Sequence, residues 1–296
     1  MHRTHSFISL FLAVALCIPA VTVTASASKS AQKQLESTML LTGKIDVDPD
    51  GTVAGISLDQ QNKLGDALSN YIHTTVTQWQ FEPVRDEHGN ALAVRAPMHL
   101  RLVARVLDGD KAEVGIRSAD FSAGYNPDDP TTVRFLENRP PAYPRDASRA
   151  AMGADTFVLI KVGRDGRVED LITRQVNLHS LDAERVMEKW REKFAKATER
   201  AARNWTFQVP TEGPKADAPH WVVTVPVTYE ISMGPKGSSD NRYGTWRSYV
   251  AGPLQSAPWL DPKDIRNATS PDALPDGGIY MEREDGLRLL TPLDEN

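Results

Sequence analysis

A chain of 296 residues, 40% hydrophobic and 25% charged, is long enough for two modest hydrophobic cores. Its formal net charge is −5, and its Lys and Arg residues are dispersed, which leaves no electrostatic footprint for nucleic acid or an anionic lipid surface. The single cysteine, Cys17, lies in an apolar N-terminal run, so the body has neither a disulfide staple nor a thiol nucleophile.

Residues 1–27 carry Arg3, an apolar run from Phe7 to Val23 and then Ala25-Ser26-Ala27, the order of a cleaved export signal. Leu16, directly before Cys17, is not the small residue that lipid attachment requires. The stretch from Ser6 to Ala25 is nearly long enough to span a bilayer, so an uncleaved anchor stays open as the alternative. Beyond it no run is apolar enough to cross, and the mature chain is expected to have no stable membrane span.

Residues 28–121 read as a first unit. Leu40 to Val47 and Thr52 to Leu58 are strands around Pro49-Asp50-Gly51, a turn whose glycine supplies positive φ. Leu64, Leu68, Tyr71, Ile72, Thr75, Val76 and Trp79 then share one helical face, with Asp66, Asn70, Thr74 and Gln78 turned away. Trp79 and Phe81 alternate into a short strand, Ala93 to Arg105 forms a longer one, and a hairpin around Asp108-Gly109 closes the unit. Residues 122–138, rich in Pro, Asp and Asn, read as a linker.

In the second unit, 139–232, Pro140-Pro141-Ala142-Tyr143-Pro144 leads into a helix from Arg145 to Met152, with Gly153 as its stop. Strands at Thr156 to Val162 and Arg167 to Val176 flank Asp165-Gly166. A five-turn helix follows, with Val186, Trp190, Phe194, Ala197, Ala201 and Trp205 on its apolar stripe, and Trp221 to Ile231 is the last strand. Pro97 and Pro226 place the final strand of each unit at a sheet edge or at a bulge, since proline donates nothing to a ladder. Residues 233–296 hold seven Pro and seven Gly in their last 63 positions but also five scattered aromatics. They are expected to cross the body in extended form, with Ile279 to Arg283 and Leu287 to Thr291 pairing around Asp285-Gly286.

The two units repeat one string. Ile45-x-Val47-x-x-Asp50-Gly51-x-Val53, Trp79-x-Phe81 and Val94-x-x-Pro97-Met98-x-Leu100-x-Leu102 recur as Ile160-x-Val162-x-x-Asp165-Gly166-x-Val168, Trp205-x-Phe207 and Val223-x-x-Pro226-Val227-x-Tyr229-x-Ile231. The fold class is therefore α+β: two small domains, each an antiparallel sheet packed on one or two helices, followed by an extended Pro/Gly-rich tail.

The second string, with Pro141, Tyr143, Pro144, Gly153, Asp165, Gly166, Val168, Trp205, Phe207, Val223, Val225, Pro226, Val227 and Tyr229 in order, resembles the C-terminal domain of TonB proteins, and residues 40–103 look like a degenerate copy. The resemblance implies the periplasm of a Gram-negative cell and a protein partner, such as a TonB-dependent outer-membrane transporter, bound by strand addition. Carried over residue by residue, the docking edge is Val222, Val223, Thr224, Val225, Pro226, Val227, Thr228, Tyr229 and Glu230. The chain departs from an energy transducer: no His follows Ser6 or Ser9 in the apolar run, and only about 16 residues, at most ~60 Å, separate Ala27 from the first copy of the repeated string. Pro140 and Ala142 stand where the family often has polar residues.

Other constellations give way to simpler readings. Asp46-x-Asp48-x-Asp50-Gly51 opens like a calcium loop, but its twelfth position is Ser57, so a solvated turn is expected. His73, His88, His99, His179 and His220 lack metal-ligand spacing, and no nucleophile elbow, P-loop or dinucleotide motif occurs. Trp79, Trp190 and Trp205 sit on helical stripes and read as core. The expectation is a non-enzymatic protein-binding module without metal or cofactor. The alternatives are a membrane-anchored transducer and a structural envelope protein whose own segments cover its sheet edges.

Overall fold

A computed structural model of the chain describes residues 35–106, 112–123, 126–230, 243–260, 271–281 and 286–293. The N-terminal segment read as an export signal, the expected turn at Asp108-Gly109, Ile231, Arg283 and Asp285 lie outside the described residues. The architecture is α+β, with antiparallel sheets and short helices.

The first sheet contains β1 (Glu36–Val47), β2 (Val53–Leu58), β3 (Val94–Val106) and β4 (Ala112–Asp120). β1 pairs with β2 along one edge and with β3 along the other, and β3 pairs with β4. Helix α1 (Asp66–Val76) lays Ile72 and Val76 on Met39, Leu41, Ile45, Met98 and Leu100, so the stripe read from the sequence is the buried face. β3 lies between two strands, yet Pro97 is tolerated. It pairs with Lys44 of β1, while β4 begins to pair only at His99, so the proline sits where the outer side of β3 has no ladder to feed.

The second sheet repeats this plan with β6 (Ala154–Gly163), β7 (Val168–Leu178) and β9 (His220–Tyr229), β6 lying between the other two. The short helix α2 (Arg145–Arg149) precedes it and the long helix α3 (Glu184–Ala202) covers one face. The buried stripe of α3 runs Met187, Phe194, Thr198, Ala202. Val186, Trp190, Ala197 and Ala201 are its half-buried flank, and Trp190 carries the Lys193 ammonium 4.7 Å from its ring centroid. The apolar pattern missed Thr198 because its hydroxyl is polar. Burial is tolerated there because the hydroxyl donates to the Phe194 carbonyl or is shared with Thr156 and Tyr229. At the end of α2 the left-handed residue is Ala151 (φ 51), not Gly153. Gly153 is small for another reason: a Cβ there would lie 2.5 Å from His179 Nδ1 and 2.9 Å from the Tyr229 carbonyl.

One contact recurs in both sheets. Gly51 (φ 86) and Gly166 (φ 74) turn the first hairpin of each, and each glycine carbonyl accepts from the amide of the Phe in Trp-x-Phe, Phe81 or Phe207, at 2.8 Å. A Cβ on either glycine would meet that Phe carbonyl, at 2.0 and 2.1 Å. The Asp side chains before them cap the turns, Asp50 accepting from the Thr52 amide and Asp165 from the Arg167 amide.

A second equivalence joins distant parts of the chain. In the second unit, β5 (Arg134–Glu137), within the segment read as linker, pairs with β8 (Thr206–Gln208), placing Phe135 opposite Phe207 and Arg134 opposite Gln208. In the first unit the same slot is filled from the far end of the chain: Leu289 bridges Phe81, the Glu82 amide donates to the Arg288 carbonyl, and the Leu290 amide donates to Gln80. Val133-Arg134-Phe135-Leu136 thus corresponds to Leu287-Arg288-Leu289-Leu290, with Val133 and Leu287 buried and Leu136 and Leu290 exposed. The expected hairpin between Ile279–Arg283 and Leu287–Thr291 is replaced: 280–281 joins the second sheet, and Leu289 bridges Phe81 of the first unit.

The tail runs between the units. β10 (Arg247–Tyr249) pairs with β1 at Glu36 to Thr38, and Val250 bridges Leu178 of β7. Ala257 and Leu260 cover Leu159, Ile172 and Val222 on the face of the second sheet that α3 leaves bare. A 3-10 turn at Pro271–Ala273 lies on β3 and β4, and β11 (Tyr280–Met281) pairs with β9. Asp272 is fully buried; its carboxylate accepts from Ser118 and Tyr249, and its carbonyl accepts from Arg101 Nε at 2.7 Å.

Gly166→Ala is expected to destabilise the fold by more than Gly89→Ala. Gly89 also has positive φ but faces open space, so its replacement carries only the strain of about 1 kcal/mol. Urea unfolding of the two variants measures the difference. Deleting residues 287–296 removes a buried leucine and a short ladder, a loss of roughly 2 kcal/mol or more. Hydrogen exchange should then show the Glu82 amide losing protection while that of Phe207 keeps it.

Candidate strand-docking edge

β9 offers one side to β6 and the other outward. The Thr228 amide donates to the Asp276 carboxylate at 3.2 Å, on the side away from β6, so by the two-residue alternation of a strand the amide positions of Val222, Thr224, Pro226 and Glu230 also face outward. Pro226 supplies no donor in the middle of that row, and its outer position is thereby explained.

The side chains divide between two faces. Val223, Val225, Val227 and Tyr229 enter the layer beneath α3. Val222 packs on the opposite face against Ala257 and Leu260, and Thr224 is buried. Thr228 Oγ1 donates to Asp155, and the exposed Glu230 pairs with Arg247. Tyr143 of the Pro141-Ala142-Tyr143-Pro144 corner stands edge-on to both Phe194 and Tyr229 and donates to the Met152 carbonyl, which fixes the end of β9. Burial pushes the Tyr229 phenol up to about 12. In the core below, Phe207 stacks on Phe135 and Trp205 meets it edge-on, with Trp205 Nε1 donating to the Arg139 carbonyl.

The outer edge carries a strand of the same chain. Tyr280 lies opposite Thr224 and Met281 opposite Val223; before them the chain turns at Asp276-Gly277, where the Asp276 carboxylate accepts from the Thr228 amide. Ile279 and Met281 join the apolar layer with Trp221, Val223 and Val225. Tyr280 points to the other face, where its ring meets His99 of β3 edge-on. In the first sheet the corresponding edge of β3 is covered by β4 from His99 to Val106. Sequence reasoning marked the edge but not its occupant.

Asp155, behind this edge, carries the strongest electrostatic signature. Burial disfavours its charge, but the His179 imidazole, 3.2 Å away, together with Arg101 and Arg247, outweighs burial and holds the carboxyl well below the usual carboxylate range. The aspartates of the Asp46 turn are otherwise engaged: Asp46 forms a bidentate pair with Arg95 at 2.6 and 2.8 Å, and Asp50 caps its turn. Among the described residues no three His, Cys, Asp or Glu side chains converge as a metal site, and no helix is long and apolar enough to cross a membrane. The chain matches no known protein-family model and no curated protein.

Because the folded Asp155 carboxyl titrates below its unfolded value near 3.9, its contribution is complete above that value and is lost as pH falls below it. Asp155→Asn should lower stability by about 1–3 kcal/mol at pH 7 and flatten the acid side of the stability curve between about pH 4 and 2. Thermal unfolding across pH measures both effects.

Proposed function

We propose that this chain is a non-enzymatic, exported protein-binding module of the TonB C-terminal type, acting in the periplasm by adding a partner's extended segment to the outer edge of β9. The observation that carries the reading is that this edge is competent to hold a strand: Tyr280 and Met281 pair with it in antiparallel register at Thr224 and Val223, and the Asp276 carboxylate accepts from the Thr228 amide. Main-chain recognition of this kind demands little of the partner's sequence, while the apolar layer beneath Val223 and Val225 selects alternate side chains. The partner class suggested by the resemblance is outer-membrane transport proteins.

A second reading has a specific observation behind it. Ile279, Tyr280 and Met281 are all at least nine-tenths buried, as expected of a structural envelope protein whose own tail closes its edges.

A photocrosslinking residue at the exposed Glu230, introduced in the source cell, separates the two. Adducts mapping to extended segments of outer-membrane transport proteins are the expected result, whereas crosslinks confined to the chain's own tail would favour the structural reading. Intact mass of the periplasmic protein should begin near Ser28; recovery of full-length chain in the inner membrane alone would point to an anchored transducer.

A further inference from the structure

We infer that residues 276–281 are an internal stand-in for the partner, and that β9 takes a protein segment with the same chemical order, acidic, small, small, apolar, aromatic, apolar, by exchange with this strand. The inference rests on the strand-addition reading above and names both the ligand class and the way the site is gated.

Each position of the stand-in answers a feature of the edge. Asp276 supplies the carboxylate that accepts from the outward Thr228 amide. The next two residues, both glycine, take the chain out of a turn and into the paired strand. Gly277 has φ 78, and a Cβ on Gly278 would lie 2.5–2.6 Å from the phenol of Tyr280, so a larger residue cannot sit there while the tyrosine holds its place. Ile279 and Met281 then point into the layer of Trp221, Val223 and Val225. Tyr280 turns the other way, onto His99, and donates to the Pro275 carbonyl at 3.0 Å. A segment lacking the acidic residue would leave the Thr228 amide without this acceptor, and one with a bulky residue in place of the second glycine would displace the aromatic side chain.

The shortness of the pairing argues for exchange. In the first sheet β4 pairs over the longer stretch from His99, the position equivalent to Thr228, to Val106. On β9, among the described residues, strand pairing is confined to Val223 and Thr224, and Pro226 beyond it supplies no donor. Side-chain burial supplies the rest of the hold, and a partner with equivalent side chains would replace it in kind. An intramolecular strand competes at an effective concentration of the order of mM, so the intact protein should bind free segments weakly, its affinity reduced by the closed fraction.

The test uses the mature chain and a fluorescent peptide of sequence Pro-Asp-Gly-Gly-Ile-Tyr-Met, its own residues 275–281. Ile279→Ser and Met281→Ser loosen the internal strand and should bind the peptide roughly tenfold more tightly than wild type or better. Adding Thr224→Pro, which removes an outward donor, should abolish the gain. Replacing Asp by Lys in the peptide, or scrambling it, should weaken binding by roughly tenfold.

A second measurement does not depend on loosened variants folding. Val223 and Met281 face each other at a position where, by alternation, the strands exchange no main-chain bonds, the closer type of pair, so Val223→Cys with Met281→Cys is placed to form a disulfide in a chain otherwise without cysteine after the export segment. The oxidised form should refuse the peptide and the reduced form accept it. Equal binding by oxidised and reduced forms, or folded Ser variants that bind no better than wild type, would overturn the exchange. Peptide binding at an opened edge with no external adducts at Glu230 would uphold the exchange and sink the proposed function; external adducts together with an indifferent peptide would do the reverse.

Discussion

The backbone donors along the outer edges of the second sheet set the terms for much of this molecule. Water can answer such donors, but a flat, open strand is also a template for unwanted pairing, and each edge here is closed by a different device. On β9 the devices are a proline that offers no donor, a short paired segment and the Asp276 carboxylate. On β7 they are again carboxylates: Glu199 of α3 accepts from the Thr173 amide and Asp170 from the Leu171 amide, while farther along the Gln255 amide donates to the Arg174 carbonyl and Val250 pairs with Leu178. A chain that closes its edges this way can carry a row of valines at one of them without offering it to every neighbour.

The faces of the sheets obey a related constraint. The side of β3 turned away from α1 carries His99, Arg101 and Arg105, of which His99 and Arg101 are buried, and a buried charge is stable only when paired. The tail supplies the partners. Arg101 donates to the Asp272 carbonyl and lies 5.9 Å from the Tyr249 ring centroid, and Arg117 stands over the same ring while pairing with Glu36, which also accepts from Arg105. Burial raises the Tyr249 phenol well above its ordinary value, which keeps it a donor to Asp272. These polar contacts fix a Pro-rich segment of mostly irregular backbone where apolar packing alone would specify its position poorly.

Local chemistry made much of the fold legible in the sequence. Asp50-Gly51 and Asp165-Gly166 announced their turns, and the stripe through Ile72, Val76 and Trp79 announced α1, because both signals depend on neighbours within a few residues. What stayed hidden depends on distant partners. Thr198 is polar by composition and buried by virtue of Thr156 and Tyr229, and β5 is a strand only because β8 lies beside it. The likeness of Val133–Leu136 to Leu287–Leu290 is too short to notice until the Phe207 and Phe81 registers line the two segments up. The outer edge of β9 could be marked as a candidate through Pro226. Its occupant could not, since nothing near Tyr280 in sequence indicates Thr224.

The segment that completes the first unit comes from far down the chain, and this bears on how the protein acquires its shape. The Gln80 amide is answered by the Thr291 hydroxyl, 211 residues away, so the first unit can be finished only after the second has been synthesised. The second unit, whose β5 and β8 lie within one stretch of chain, has what its own slot needs much sooner. Assembly therefore runs against the order of translation, and the first unit must wait through a long loop closure with an open slot. Under the export reading proposed above, such a delay keeps the first unit in a form that can still be threaded.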